Sequence, residues 1–125
     1  MLVLGTHNRS KAAELLQVFS QLPLQLRSLA ELSDAIKVDE HGSSFAENAV
    51  LKATLQAKHL RQWVLGEDSG LVVDALGGEP GILSARYSGP QASDAANNRL
   101  LLERLEGVPL EKRSAAYVCH MAVAD

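Results

Sequence analysis

The stretch WVLGEDSGLVVDAL, residues 63 to 76, combines two apolar runs with two adjacent acids between them. The apolar residues on both sides predict strands, and Glu67 and Asp68 stand side by side between them. Neighbouring carboxylates repel, and each requires water or a partner at the end of a buried strand. Two interpretations are open: a solvated turn, for which Asp-Ser-Gly is ordinary chemistry, and a site for a bound cation.

Strands and helices alternate along the rest of the chain. On the amino-terminal side the patterns predict a buried strand at 1–5, a helix at 9–21 capped by Asn8 or Ser10, a strand at 24–29, irregular surface at 30–42 and a capped helix from Ser43 or Ser44 to about Arg61. On the carboxyl-terminal side they predict a loop at 77–81, a helix that begins at Ser93 and stops at Gly107, and a last strand at 114–124. This alternation predicts one α/β domain over residues 1–125, with a mixed twisted sheet and flanking helices. Residues 63–75 are expected to form a strand pair or a bent strand.

Composition limits the possible functions. The chain has 125 residues, 46% of them apolar, which suits one domain with a buried core. A net charge of −3 and a pI near 5.8 give no reason to expect nucleic-acid binding, so an anionic ligand must be held locally. The single cysteine, Cys119, excludes an internal disulfide, and no signal peptide or membrane-spanning stretch is visible. We therefore expect a cytoplasmic protein without membrane contact.

The first predicted turn has the chemistry of an anion site. Thr6-His7-Asn8-Arg9-Ser10-Lys11 places hydroxyls, an amide and two cations where a strand meets a helix amino terminus. Backbone N–H groups and the helix dipole favour a phosphate there. The glycine spacing of the Walker loop is absent. A capped surface helix with exposed charges is the alternative, and the turn alone does not decide between the two.

Three acids are candidates for metal binding. Glu40, Glu67 and Asp68 fall at loop or strand-end positions next to predicted core. Such hard oxygen ligands, with positions left open for water, suit magnesium on a polyphosphate. Each acid taken alone also fits a solvated turn, and periodicity does not show that the three meet. The four histidines have no zinc spacing, and Cys119 has no paired base in its predicted strand.

Three motifs, in order along the chain, resemble those of the inosine triphosphate pyrophosphatase family. GTHNRSKAAEL resembles the family's Thr-x-Asn-x-x-Lys opening, and SSFAENAVLKA resembles its Phe-x-Glu-Asn-Ala-x-Leu-Lys-Ala helix motif. GEDSGLVVDALGGEPGILSARYSG resembles the central signature almost residue for residue. The resemblance covers essentially the whole chain, and it implies an inosine triphosphatase-like fold.

The resemblance also implies an activity and the residues that perform it. Members split deaminated purine nucleoside triphosphates such as ITP, dITP and XTP into the monophosphate and pyrophosphate, with Mg²⁺ as cofactor and a homodimer as the usual state. Carried over by position, the substrate-binding residues are Thr6, His7, Asn8, Arg9, Ser10, Lys11, Lys52 and Ser69. The implied metal ligands are Glu40, Glu67 and Asp68, and Asp68 is also the implied proton acceptor for the attacking water.

One departure from the family pattern concerns the base. The family continues with a Phe-Gly-Tyr-Asp segment, a further lysine and a Ser-His-Arg, which together read the purine, and none of these occurs here. The sequence stops at 121–125 within an alternating strand, so we expect the carboxyl-terminal portion of the fold to be absent. A compact natural variant is the alternative. Besides turnover, two further hypotheses stay open: a module that binds nucleotide and magnesium without turnover, and a fragment that only self-associates.

Overall fold

The computed structural model describes residues 1–125, with four strands and three α-helices. The strands are β1 (Leu2–Leu4), β2 (Leu26–Ser28), β3 (Trp63–Val73) and β4 (Ala115–Ala124), and the helices are α1 (Arg9–Val18), α2 (Phe45–Leu60) and α3 (Asp94–Arg104). Short 3-10 helices lie at Leu29–Glu31, Asp74–Leu76, Gly81–Arg86 and Leu110–Lys112. The predicted α/β class is confirmed. No helix combines the length and the apolar character needed to span a bilayer.

The four strands form one mixed sheet in the order β2-β1-β3-β4. β1 pairs in parallel with both β2 and β3. β4 runs the opposite way to β3, because Ala124 packs on the cluster that contains Val64 while the Ser114 carbonyl accepts a hydrogen bond from the amide of Asp74. The predicted mixed sheet is therefore confirmed. In such sheets, ligands bind at the carboxyl ends of the parallel strands.

β3 corrects the prediction made for the opening stretch. Residues 63–73 form one continuous strand, so the predicted acidic turn between two strands is wrong. The reason is close packing at Gly66, where a Cβ would lie only 2.6 Å from the backbone nitrogen of Ala53 in α2. Because Gly66 has no side chain, α2 lies directly on the strand and keeps it extended. Glu67 and Asp68 are consequently buried strand residues.

The helix starts follow the predicted caps. The Asn8 side chain accepts hydrogen bonds from the amides of Ser10 and Lys11, and the Ser44 hydroxyl accepts one from the amide of Glu47. The Glu47 carboxylate accepts hydrogen bonds from the amide and the hydroxyl of Ser43 rather than from the amide of Ser44. α2 then runs to the left-handed residue Arg61, as predicted.

α1 and β2 are shorter than predicted for a local reason. α1 ends at Val18 rather than at 21, because the Ser20 hydroxyl donates to the Gln17 carbonyl and the chain turns. β2 covers 26–28 rather than 24–29, since the Glu31 carboxylate accepts from the amide of Ser28 and starts a 3-10 turn there. Local polar side chains thus compete with the continuation of each element.

The chain divides into two compact units, residues 1–68 with 120–125, and residues 69–119. The first contains two apolar clusters, one around Val3, Leu29, Ala57 and Val64 and one around Leu4, Leu15 and Leu65. The second contains α3 and most of the 3-10 helices, and few of its side chains are fully buried. The expectation of a single domain remains a prediction.

Candidate active site

The site begins with the two acids of β3. Glu67 is 6% exposed and Asp68 4% exposed, within a strand whose residues 64 to 68 are all buried. Carboxylates are almost never buried to this degree unless charged partners compensate them. The charged partners of Glu67 and Asp68 therefore determine which chemistry the site can perform.

Lys52 of α2 supplies the first compensating charge. Its ammonium lies 2.7 Å from a carboxylate oxygen of Glu40 and 3.7 Å from one of Asp68. It also donates a 2.9 Å hydrogen bond to the backbone carbonyl of Glu67. One cation is therefore surrounded by three oxygens from two distant segments of the chain, and the structure brings Glu40 and Asp68 together around it.

Lys11 of α1 supplies the second charge. Its ammonium lies 3.3 Å from a carboxylate oxygen of Glu67, and the Glu67 side chain is almost wholly shielded from solvent. Three distant segments thus meet in one place: the first turn after β1, the segment at Glu40, and the Glu67-Asp68 pair of β3. This convergence is what the sequence motifs implied and what periodicity alone did not show.

Burial raises the pKa of Asp68 above its ordinary value of 3.8, and desolvation is the main cause. The nearby Lys52 ammonium lowers the pKa, while the Glu40 carboxylate raises it. The Asn48 amide also favours the ionised form, although neither Asn48 Nδ2 nor Asp68 Oδ2 makes a hydrogen bond of good geometry. Asp68 is consequently a stronger base than an exposed aspartate.

The donor set fits a divalent cation of the hard, oxygen-seeking kind. Asp68 Oδ2 is buried without a hydrogen-bond partner, and the Lys52 ammonium already occupies a cationic position between Asp68 and Glu40. The His, Cys, Asp and Glu side chains form no group of three arranged to hold a metal by themselves. Magnesium on a polyphosphate is typically held by one or two carboxylates, with water and phosphate oxygens completing its shell.

The other residues of the first turn have different contacts. Thr6 accepts a hydrogen bond from the amide of Asn8, and the His7 ring bonds the Ile36 carbonyl. The Asn8 cap occupies the amides of Ser10 and Lys11, so the expectation that the first-turn N–H groups are open to an anion is wrong for these two. A groove of about 260 Å³ is lined by Thr6, His7, Asn8, Arg9, Ala12, Ala13, Leu16, Ser28 and Ala30.

Three further implied substrate residues lie beside these groups. Arg9 and Ser10 are exposed in the first turn of α1, and Ser69 is half-buried directly after Asp68 in β3. Their roles, like those of the other implied site residues, stay predictions.

Sequence reasoning missed two buried polar residues of α2. Asn48 is fully buried and its side-chain oxygen accepts a 2.8 Å hydrogen bond from the amide of Gly42. Gln56 is 1% exposed, and its amide bonds both backbone groups of Ile36. Together with Lys52 they follow one another at intervals of four residues, which places all three in one row along the helix. That spacing, on a helix face otherwise built from alanine, was the available signal.

The fold and the site define an α/β protein with buried, lysine-paired carboxylates beside a strand-to-helix turn. The model of the Ham1 family matches residues 2–125. A dITP/XTP pyrophosphatase of Rhodopirellula baltica is 50% identical over 124 residues, which are 99% of this chain and 60% of that relative. A similar enzyme of Geobacillus kaustophilus is 48% identical, over 98% of this chain and 60% of the relative. The chain belongs to the Ham1 family.

Solved structures agree with this membership. A Ham1 protein from Coxiella burnetii superimposes with a TM-score of 0.86 at 38% identity, covering 98% of this chain and 61% of the other. The Staphylococcus aureus Ham1 protein gives a TM-score of 0.83 at 39% identity, covering 98% and 62%. The resemblance drawn from the three motifs is confirmed. The chain spans about 60% of the length of the relatives it matches.

Proposed function

We propose that this chain carries the triphosphate-cleaving site of a pyrophosphatase that converts deaminated purine nucleoside triphosphates, such as dITP, XTP and ITP, into the monophosphate and pyrophosphate. The observation that carries the proposal is the Lys52 ammonium held between Glu40 and the buried Asp68. Removing charged groups from water costs free energy, so a shielded ion pair adds little to stability. Its position beside the turn after β1 therefore favours a catalytic role over a stabilising one. The relatives named dITP/XTP pyrophosphatase support the substrate class.

In this proposal Asp68 accepts a proton from the attacking water. Its raised pKa makes it a better acceptor than an exposed aspartate, and its burial in β3 fixes the direction of the carboxylate. Lys11 and Lys52 contribute positive charge where the phosphate oxygens gain negative charge. As the water oxygen bonds to the α-phosphorus, the bridge to the β-phosphate breaks and pyrophosphate leaves.

We propose Mg²⁺ as the resident cation, with Glu40 and Asp68 as its protein ligands and Glu67 beside them. When bound, a divalent cation would neutralise charge on the triphosphate oxygens. Lys52 lies between Glu40 and Asp68 in the structure, so the cation would displace its ammonium from that position. Glu67 is paired with Lys11, and its contribution to metal binding would require that ion pair to rearrange as well.

Pyrophosphate release from dITP in the presence of Mg²⁺ tests the proposal, with ATP as the comparison substrate. We expect turnover of dITP in preference to ATP. A thermal shift with dITP and Mg²⁺ but no pyrophosphate release would instead show a binding module. Absence of both responses from the folded chain would contradict the proposal.

We further propose a cytoplasmic homodimer. The observation that favours association is β4, an outer strand of the sheet on which Tyr117 is 87% exposed and Val123 55% exposed. Exposed apolar outer strands promote pairing with another chain. Sedimentation equilibrium at several concentrations tests this, and a chain that stays monomeric throughout would contradict it.

A further inference from the structure

Residues 36–42, which deliver Glu40 to the site, have no helix or strand of their own. A segment without internal hydrogen bonds is mobile unless other elements hold its backbone. The position of the Glu40 carboxylate therefore depends on what fastens this segment.

The polar row of α2 fastens it at three points. Gln56 holds Ile36, Lys52 holds Glu40, and Asn48 holds Gly42. The row runs one way along the helix and the segment runs the other way, so one face of α2 holds the segment over its full length. Gly42 allows the close approach, since a Cβ there would lie 2.6 Å from the Asn48 side-chain oxygen.

The Gln56 contact has a geometry that only an uncharged amide provides. Its side-chain oxygen accepts from the Ile36 amide at 3.1 Å, and its side-chain nitrogen donates to the Ile36 carbonyl at 2.9 Å. Glutamate lacks the donor at neutral pH, and methionine lacks both groups while keeping the volume. Gln56 thus pairs with the N–H and the C=O of one residue, as a residue of a neighbouring antiparallel strand would.

The same Ile36 carbonyl also contacts the first turn. His7 Nε2 lies 3.0 Å from it, and because a carbonyl can only accept, that ring nitrogen carries the proton. Ile36 is therefore a backbone junction that joins the turn after β1 to the segment that carries Glu40.

We propose that Gln56 is a positioning residue, which holds the Glu40 carboxylate in place for the cation through the Ile36 junction. The inference rests on the proposed function, because it takes Glu40 to be a metal ligand. Groups that orient metal ligands typically change metal affinity by about 10- to 100-fold when removed. Since Gln56 acts through four residues of backbone, we expect a change of about tenfold, at the low end of that range.

The test measures Mn²⁺ affinity, without nucleotide, by the loss of the free Mn²⁺ electron paramagnetic resonance signal. We expect Gln56→Met to weaken Mn²⁺ binding by about tenfold at temperatures well below unfolding. The matched control is Asn97→Leu, which also replaces a backbone-bonding amide with an apolar side chain of like size. Asn97 bonds the backbone of Ser84, Ala85 and Ser88. The control should lose thermal stability and keep its Mn²⁺ affinity.

Glu40→Gln separates the two possible failures. If Glu40→Gln weakens Mn²⁺ binding while Gln56→Met does not, the positioning role is overturned and the metal assignment stands. If Glu40→Gln leaves the affinity unchanged, the metal assignment is wrong and this inference falls with it. Equal weakening in Gln56→Met and Asn97→Leu would show a general effect of stability and would also overturn the positioning role.

Hydrogen exchange on the unmodified protein gives a test that no folding defect can obscure. Coupling between two sites is reciprocal, so a cation bound through Glu40 should tighten the Gln56 contact. We expect saturating Mn²⁺ to slow exchange at the Ile36 and Gly42 amides and to leave the Ser88 amide unchanged. Unchanged exchange at Ile36 would overturn the proposal.

Discussion

β3 and β4 are similar in length, and β4 is the more apolar of the two, yet β3 is the strand that is buried. β3 buries residues 64 to 68 and includes two acids among them, whereas β4 leaves Tyr117, Met121 and Val123 largely exposed. Apolar content therefore did not determine burial; the elements packed on each strand did. In β3 the acids are buried because α2 lies directly on Gly66 and supplies Lys52. Because the buried acids have such specific partners, we place the proposed site on β3.

The largest expected effect follows from removing the β3 acid that we propose as the proton acceptor. Asp68→Asn keeps the shape of the side chain and removes its basicity. Turnover of dITP should fall by about 10²- to 10⁴-fold, the usual contribution of a positioned base. Steady-state pyrophosphate release measures this, and Asp94→Asn, at an exposed acid of α3, should remain near the unmodified rate. A fully active Asp68→Asn would exclude the catalytic role.

The next effect concerns the packing that buries β3. Gly66→Val places a side chain against the Ala53 backbone nitrogen, where even a Cβ would be at 2.6 Å. We expect a loss of about 2 kcal/mol or more in the free energy of unfolding, as for other overpacked sites. Urea denaturation measures it. A variant as stable as the unmodified chain would show that α2 does not hold the strand.

A smaller effect concerns the pH dependence of stability in metal-free buffer. The pKa of Asp68 is raised in the folded chain, so the folded state binds this proton more tightly than the unfolded state. The resulting stability is complete below the unfolded pKa, near 3.8, and is lost as pH rises through the folded pKa.

Asp68→Asn removes this dependence. We expect the variant to gain stability over the unmodified chain as pH rises from about 4 to about 7. Denaturation midpoints measured across that range test the prediction. A stability difference that does not vary with pH would contradict the raised pKa.

The smallest effect is expected on β4. Tyr117 is 87% exposed, so Tyr117→Ser should change the free energy of unfolding by no more than about 0.5 kcal/mol in dilute solution. The same denaturation experiment at low protein concentration measures it. A large loss would show that β4 is buried in solution, and the contrast between the two strands would then disappear.

The sequence predicted the elements well where local signals were strong. As the capping pattern indicated, α2 begins after Ser44 and ends before Arg61. β1 lies within the short apolar run that predicted it. The acidic turn was wrong because Asp-Ser-Gly is compatible with both turn and strand, and the contact that decides between them, α2 on Gly66, is distant in sequence.

The sequence predicted the acids and lysines of the candidate site, but it did not predict the residues that hold them in position. Glu40, Lys11 and Lys52 fell on motif positions, and the structure brings them together with Asp68. Gln56 was missed because its partner is the backbone of Ile36, which no residue type indicates, and only its spacing of four residues from Lys52 pointed to it.

We propose that Glu40 and the buried Glu67-Asp68 pair of β3 form one divalent-cation site. Anomalous diffraction from crystals soaked in Mn²⁺, standing in for Mg²⁺, tests this most directly. We expect an anomalous peak in contact with carboxylate oxygens of Glu40 and Asp68, with the Lys52 ammonium displaced from between them. A peak bound elsewhere, or none at Mn²⁺ concentrations that support dITP cleavage, would contradict it.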